Sequence, residues 1–191
     1  NLSLVAYTIN GDGDGELKAS IDDTLDAAQQ IRDKIRRLQE MTAGFAPKKT
    51  IHNVGDLLQT ALAEWPGNRD ACALALPDAP LPMLEADAGQ IARALHNLLD
   101  NAAEARADAA VTVAVETTKF PEDAPSSGPA VAIRVTDNAG GIPPDAAGQI
   151  FAPYFTTKKH ALGVGLTVAL AIARRHRGQL TFTPVPDGSC F

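Results

Sequence analysis

Four polar residues recur at helical spacing in the middle of the chain: Arg93, Asn97, Asn101 and Glu104. Steps of four, four and three residues place these side chains on one face of a helix. Because asparagine is a poor helix former, two of them in register need a reason. Oxygen ligation of a Mg²⁺ ion that carries nucleotide phosphates would supply one. An ordinary solvated helix face is the alternative interpretation.

A glycine-rich stretch, Thr136 to Pro144, follows an apolar run and reads TDNAGGIPP. Asp137 stands at the end of the expected strand, where its carboxylate can accept a hydrogen bond from an exocyclic amine such as that of adenine. Gly140 and Gly141 permit the positive φ and the close backbone approach that a flat base or a sugar requires. A tight turn without a ligand explains the same residues.

A third segment combines aromatic residues, lysines and glycines over Ile150 to Leu166. Gly163 and Gly165 flank the start of an apolar helix, whose free amides and dipole suit phosphate oxygens. Lys158 and Lys159 stand just before it and can neutralise phosphate charge, although a solvated loop is the alternative for them. The aromatic side chains are interpreted as packing at the hinge of this segment: Phe151, Tyr154 and Phe155.

The elements that must position these residues begin after Pro47, where short apolar runs separated by Gly and Pro take over. The pattern predicts a strand at Ile51, a helix over Val54 to Trp65, strands near Ala71 to Leu76 and at Met83-Leu84, a helix over Asp87 to Ala107, strands over Val111 to Glu116 and Val131 to Thr136, a Pro- and Ser-rich connection over Phe120 to Pro129, a helix over Val164 to Arg177 and a strand over Gln179 to Thr183. This mixture favours an α+β layer, with helices on one face of a largely antiparallel sheet.

The preceding part, residues 1–46, reads as a helical hairpin. A helix end up to Asn10 and a Gly-rich turn precede a long helix from Ile21, whose apolar positions alternate in steps of three and four. Such a stripe must be buried, and dimerisation into a four-helix bundle would bury it. A helix that lies on its own domain is the alternative.

Composition limits the classes of function. A chain of 191 residues, 45% of them apolar, can form one globular core and a smaller unit. A formal charge of −6 argues against a broad nucleic-acid surface. Cys72 and Cys190 are too few for a disulfide framework or a thiolate zinc site, as expected in a reducing cytoplasm. No stretch is apolar for long enough to span a bilayer, so we expect a soluble fragment with missing neighbours on both sides.

In their order, the asparagine helix, the strand-end Asp with its glycines, the aromatic-Thr-Thr-Lys run and the glycine-started helix resemble the four boxes of the histidine kinase catalytic domain. The resemblance covers Lys48 to Phe191. It implies the Bergerat fold, a two-layer α/β sandwich shared with gyrase-type ATPases and mitochondrial dehydrogenase kinases, with ATP and Mg²⁺ as ligands. The preceding helices resemble the family's dimerisation and phosphotransfer hairpin.

The resemblance also implies roles for individual residues. Asn97 and Asn101 correspond to the Mg²⁺ and phosphate contacts, and Asp137 to the adenine contact. Asn97 and Lys158 are implied in catalysis, and His96 is a candidate for orienting the nucleophile unless it is a packed helix histidine. Further ATP contacts are implied in the glycine boxes and in the lid, which is short as in nitrogen-regulator-type kinases: Gly141, Ile142, Phe155, Thr157, Lys158, Gly163, Val164, Gly165 and Leu166.

Two features depart from the family pattern. Ala139 replaces the first glycine of Asp-Asn-Gly-x-Gly, and Val164 stands where Leu or Met is common. A phosphoacceptor is also missing from the hairpin, because none of the chain's histidines lies there: His52, His96, His160 and His176. We therefore expect the acceptor ahead of Asn1, and a degenerate kinase without one is the alternative.

The implied activity is phosphoryl transfer from MgATP to a histidine, and then to an aspartate of a response-regulator receiver domain. A gyrase- or chaperone-type ATPase is a second hypothesis, but it needs a water-activating Glu where this chain has Asn97, which cannot act as a general base. A non-catalytic dimeric scaffold is a third. The expected partners are a second copy through the hairpin and the receiver domain, with no nucleic acid, and a membrane only through an upstream segment.

Overall fold

The computed structural model describes residues 46–119, 129–158 and 161–191, together with six helical positions near the N-terminus: Lys18, Ile21, Asp22, Thr24, Leu25 and Ala28. The chain divides into two compact units, Asn1–Gly44 and Phe45–Phe191. The predicted hairpin and its dimerisation, Lys159, His160 and nearly all of the predicted Phe120 to Pro129 connection lie outside the described residues.

The second unit contains both helices and strands. In chain order they are β1 (Thr50–Asn53), α1 (Val54–Glu64), β2 (Cys72–Ala75) after a 3₁₀ turn at Arg69–Ala71, β3 (Met83–Ala86), α2 (Ala88–Ala105), β4 (Val111–Lys119), β5 (Pro129–Asp137), α3 (Pro144–Ala147), α4 (Gly165–Arg175), β6 (Thr183–Val185) and β7 (Gly188–Cys190).

Helix α1 forms where an asparagine cap precedes an amphipathic run. Asn53 Oδ1 accepts hydrogen bonds from the backbone N–H groups of Gly55 at 2.8 Å and Asp56 at 3.3 Å, which satisfies two amides that a helix leaves without partners. The helix ends before Trp65, whose indole Nε1 donates to Asp100 Oδ1 at 2.8 Å. That bond ties the end of α1 to the middle of α2.

Helix α2 carries the aligned polar residues Arg93, Asn97, Asn101 and Glu104. Asp87 caps it, because Asp87 Oδ1 accepts from Gln90 N at 3.0 Å. The apolar side of the helix is buried, as the predicted helical spacing requires: Ala92, Leu95, Leu98, Leu99 and Ala102. The Asn and Glu residues therefore project from a helix that its apolar side anchors.

The main sheet has the strand order β2-β4-β5-β7-β6, and β1 pairs with β3 in a separate antiparallel ribbon. β4 and β5 pair antiparallel from Val111↔Asp137 to Lys119↔Pro129, whereas β2 runs parallel to β4. Val111, Val113 and Val115 are buried while the alternate Thr112 and Glu116 are exposed, so one face of the sheet meets the helices. The expected mixed α/β arrangement is confirmed.

The predicted strand over Gln179 to Thr183 is wrong. Leu180 and Phe182 pack against the core without joining the sheet, and the paired strands are β6 and β7, joined by a turn in which Asp187 has φ +54°. Phe191 exchanges two backbone hydrogen bonds with Val135, at 2.9 and 3.0 Å. The edge of β5 is thus occupied by the residues after the Pro-Asp-Gly turn, which displaces the hairpin towards the C-terminus.

Candidate functional site

Asp137 lies at the end of β5, with only 6% of its surface exposed. Its Oδ1 accepts hydrogen bonds from Ala139 N at 2.8 Å and from Ser189 N at 3.3 Å. Within the described ranges both of these bonds use Oδ1. Oδ2 is therefore the oxygen that can accept a hydrogen bond from an amine of a ligand.

The glycine loop after Asp137 packs backbone to backbone against the β6–β7 turn. Gly140 and Gly141 have φ values of +95° and +73°, which L side chains rarely adopt. Gly140 N donates to Asp187 O at 2.8 Å, and a Cβ on Gly141 would lie 3.0 Å from the carbonyl oxygen of Gly188. This supporting turn could not be found from the glycine motif itself, because it lies about fifty residues further along the chain.

Asn97 lies half-buried where α2 meets the start of α4. A Cβ added to Gly165 would lie 3.7 Å from Asn97 Oδ1, so the two helices approach closely at this point. Asn97 Nδ2 is buried and has no hydrogen-bond partner among the described residues. Because a buried donor is nearly always satisfied in a native protein, this amide marks a place where a ligand oxygen would be stabilised.

The ammonium group of Lys158 sits among three oxygen atoms of α2. Lys158 Nζ donates to the carbonyl oxygen of Asn101, to Asn101 Oδ1 and to Glu104 Oε2, each at 3.0 Å. The predicted lid lysine and the predicted metal-binding asparagine are therefore in direct contact. Thr157 is exposed next to them.

The start of α4 is attached to the aromatic segment that precedes it. Gly163 has φ +65°, and a Cβ there would lie 2.3 Å from Phe155 O; Tyr154 N donates to Gly163 O at 2.9 Å. Among the described residues no side chain caps this helix end, which leaves its first amides available as donors for a ligand. Val164 is buried, and Ile142, Phe155 and Leu166 are partly buried against the core.

His96 contacts helix α1. Its Nε2 donates a hydrogen bond to Ala61 O at 2.7 Å. His96 directly precedes Asn97 in α2, so the two side chains leave the helix in different directions. A cavity of about 540 Å³ also lies on that side, between β1, α1 and the start of α2, and no predicted site residue lines it. The geometry favours the packing role for His96.

Metal binding at this site would depend on amide oxygens. In the part of the chain that the structure describes, no three His, Cys, Asp or Glu side chains gather to hold an ion.

No helix within the same ranges is long and apolar enough to cross a membrane.

A family model described as histidine kinase-, DNA gyrase B- and HSP90-like ATPase matches residues 86–191. The match begins just before α2 and includes every predicted site residue. Because it spans more than half of the chain, it assigns the family rather than an isolated motif.

Curated relatives carry the names of sensor proteins. The sensor histidine kinase TmoS of Ectopseudomonas mendocina is 38% identical over 112 residues, which are 58% of this chain and 11% of that protein. The sensor protein TdiS of Thauera aromatica is 27% identical over 188 residues, or 94% of this chain and 33% of that protein. The chain thus spans a third or less of the length of these relatives.

Solved structures share the fold at low sequence identity. Full-length ShkA in complex with AMPPNP has a TM-score of 0.69 and 18% identity, covering 93% of this chain and 38% of that one. The catalytic domain of histidine kinase ThkA has a TM-score of 0.57 and 22% identity, covering 75% of this chain and 92% of that one. The sheet-plus-helix fold is therefore that of histidine kinase catalytic domains.

Proposed function

The chain belongs to the histidine kinase-, DNA gyrase B- and HSP90-like ATPase family, and from that premise we propose that it is the ATP-binding core of a sensor histidine kinase. Residues 48–191 form the nucleotide-binding domain, a Bergerat two-layer sandwich. Residues 1–46 belong to the hairpin that dimerises as a four-helix bundle. The domain works in the cytoplasm, which supplies ATP.

One observation supports this proposal above the others: Lys158 contacts Asn101 one helical turn from Asn97, and Asn97 lies at the start of α4, which no described side chain caps. An orphaned amide, free helix amides and a lysine ammonium together provide donors and positive charge for phosphate oxygens. Asp137, at the end of β5, supplies the acceptor for the adenine amine at the other side of the site. The arrangement suits a ligand with a base at one end and phosphates at the other.

The residues present also fit Mg²⁺. The ammonium of Lys158 already lies 3.0 Å from Asn101 Oδ1, so this oxygen accepts a cation, and the phosphates of the nucleotide would complete the ligand set. Asn97 and Asn101 are the residues we assign to the ion. When bound, Mg²⁺ would neutralise charge that develops on the phosphates.

In the proposed reaction, the bond between the γ-phosphorus and the β,γ-bridging oxygen of ATP breaks, ADP leaves with that oxygen, and a bond forms from the γ-phosphorus to an imidazole nitrogen. This chain orients the nucleotide and stabilises its charge. The accepting histidine belongs to the phosphotransfer hairpin and is not one of the four histidines of this sequence. An aspartate of a receiver domain then takes the phosphoryl group.

Transfer is favoured over hydrolysis by the residue at position 97. A hydrolase needs a base that activates water, and the Asn97 amide cannot accept a proton at neutral pH. His96, the neighbouring base, is bonded to Ala61 O. We therefore expect slow ATP hydrolysis, with acid-labile phosphate appearing on a hairpin supplied as a separate polypeptide.

The test is MgATP binding by calorimetry and thermal shift. ATP at one hundred times its Kd should stabilise the protein by about 2.7 kcal/mol, which for a domain of this size raises Tm by roughly 5–11 °C. In Asp137→Asn the remaining oxygen still accepts from Ala139 N, but the new NH₂ group opposes the adenine amine. Affinity should fall by about 10- to 100-fold, because a hydrogen bond to a charged group contributes about 1.5–3 kcal/mol.

Asp145→Asn is the matched control, since this exposed carboxylate lies in the first turn of α3. It should bind MgATP like the wild type. An unshifted wild-type Tm would favour the scaffold alternative, and an Asp137→Asn variant with wild-type affinity would refute the adenine assignment. Rapid hydrolysis without transfer would instead favour a gyrase-type ATPase.

A further inference from the structure

The contact between Lys158 and α2 has the form of a cation site. Its ammonium group lies 3.0 Å from each of three oxygens, two of Asn101 and one of Glu104. The lysine side chain is 27% exposed and that of Glu104 is 49% exposed. The charge is thus partly shielded from water and held by one carboxylate and two neutral oxygens.

The same amide oxygen, Asn101 Oδ1, is the one assigned above to Mg²⁺. A lysine ammonium and a divalent cation cannot both occupy one oxygen, because two positive charges a few ångströms apart repel. Lys158 must therefore leave Asn101 when a metal–nucleotide complex enters. Within the described residues, Glu104 is the charged side chain that forms an ion pair with Lys158, so it decides how readily the lysine leaves.

We propose that Glu104 is a positioning residue that holds Lys158 over Asn101 while the site contains no nucleotide, so that metal–nucleotide binding is an exchange of one cation for another. The proposal rests on the proposed function. Glu104 lies three residues after Asn101 on the same helix, one turn further along α2 from Asn97 than Asn101 is. It thus holds the ammonium group at Asn101 rather than at Asn97.

The exchange predicts that weakening the Glu104 contact strengthens nucleotide binding. A partly exposed ion pair is typically worth a two- to fivefold change in an equilibrium. Glu104→Asp keeps the charge but shortens the side chain by one methylene, so the carboxylate no longer reaches Lys158 without a backbone shift. We expect MgATP affinity to rise about two- to fivefold in Glu104→Asp and in Glu104→Gln.

Removing a negative charge near phosphates also raises affinity by simple electrostatics, and two controls separate this effect. Asp108→Asn removes an exposed acid just after α2, whose side chain is 90% exposed, and should leave affinity unchanged. In a Lys158→Met background there is no ammonium to hold, so Glu104→Asp should have no effect. Equal gains with and without Lys158 would overturn the proposal.

A second measurement needs no nucleotide. Trypsin can cleave after Lys158 only when this side chain is released, so the rate at which the fragment ending at residue 158 appears, identified by mass, reports release of Lys158 in the full chain. We expect cleavage to be about two- to fivefold faster in Glu104→Asp and Glu104→Gln than in the wild type. Unchanged cleavage, or weaker MgATP binding in both variants, would overturn the proposal. The cleavage rates can be measured even if the protein binds no ATP, so failure of this proposal is distinguishable from failure of the proposed function.

Discussion

Replacement of Gly163 by alanine tests the geometry at the start of α4 directly. Gly163 has φ +65°, and its added Cβ would lie 2.3 Å from Phe155 O. A left-handed conformation costs an alanine about 1–2 kcal/mol. In addition, ordinary contact begins near 3.4 Å, so the Phe155 carbonyl must retreat by about 1 Å.

The movement should affect binding more than the fold. The carbonyl belongs to the segment that leads into the lid, and α4 presents its free amides from the adjacent turn. We expect Gly163→Ala to lose about 2–3 kcal/mol of unfolding free energy, seen as a decrease in Tm of roughly 4–12 °C. MgATP affinity should fall by up to about 100-fold, because a 1 Å misplacement of positioning groups can cost an active site this factor.

Gly148→Ala is the matched control. Gly148 has φ −70° in the right-handed helical region, and nothing lies within 4 Å of an added Cβ. This substitution should be neutral or stabilise the protein by about 0.4–1 kcal/mol. A Gly163→Ala variant that unfolds at the wild-type temperature and binds MgATP within twofold of wild type would refute the predicted clash. Equal impairment of both variants would refute it too.

Two further predictions concern helix α2, one at its N-terminal cap Asp87 and one at His96 in its middle. Burial acts to raise the pKa of Asp87, but the backbone amides of Gln90 and Lys48 and the nearby His176 outweigh it and hold the pKa below its ordinary value. A lowered folded pKa stabilises the fold above about pH 4 and loses this effect as pH falls through the folded value. Asp87→Asn keeps the helix cap but not the charge, so the difference in unfolding free energy from wild type should shrink from pH 5 to pH 3 in urea titrations; a constant difference would contradict the assignment. His96→Ala should lose about 0.5–1.5 kcal/mol of stability, because the hydrogen bond to Ala61 O is lost, yet it should bind MgATP within about twofold of wild type. A large loss of affinity with an intact fold would show that His96 contributes to nucleotide binding.

Much of the architecture follows from local pattern. The helices α1, α2 and α4 were expected within a few residues of their observed bounds, because helical periodicity and the caps Asn53 and Asp87 are features of neighbouring residues. The strands β4 and β5 were expected from apolar alternation. The strand expected over Gln179 to Thr183 was misplaced, because the available edge of β5 is a property of the assembled sheet.

The site divides in the same way. The amino-acid sequence alone determined which residue types face one another along α2 and which glycines can take positive φ, since spacing and the missing Cβ are local facts. Only the tertiary structure decided that Ser189 orients Asp137, that His96 packs on α1, and that Lys158 rests on Asn101 and Glu104. These contacts join residues from 35 to 57 positions apart. No local pattern encodes them, because they depend on how the sheet and the helices pack.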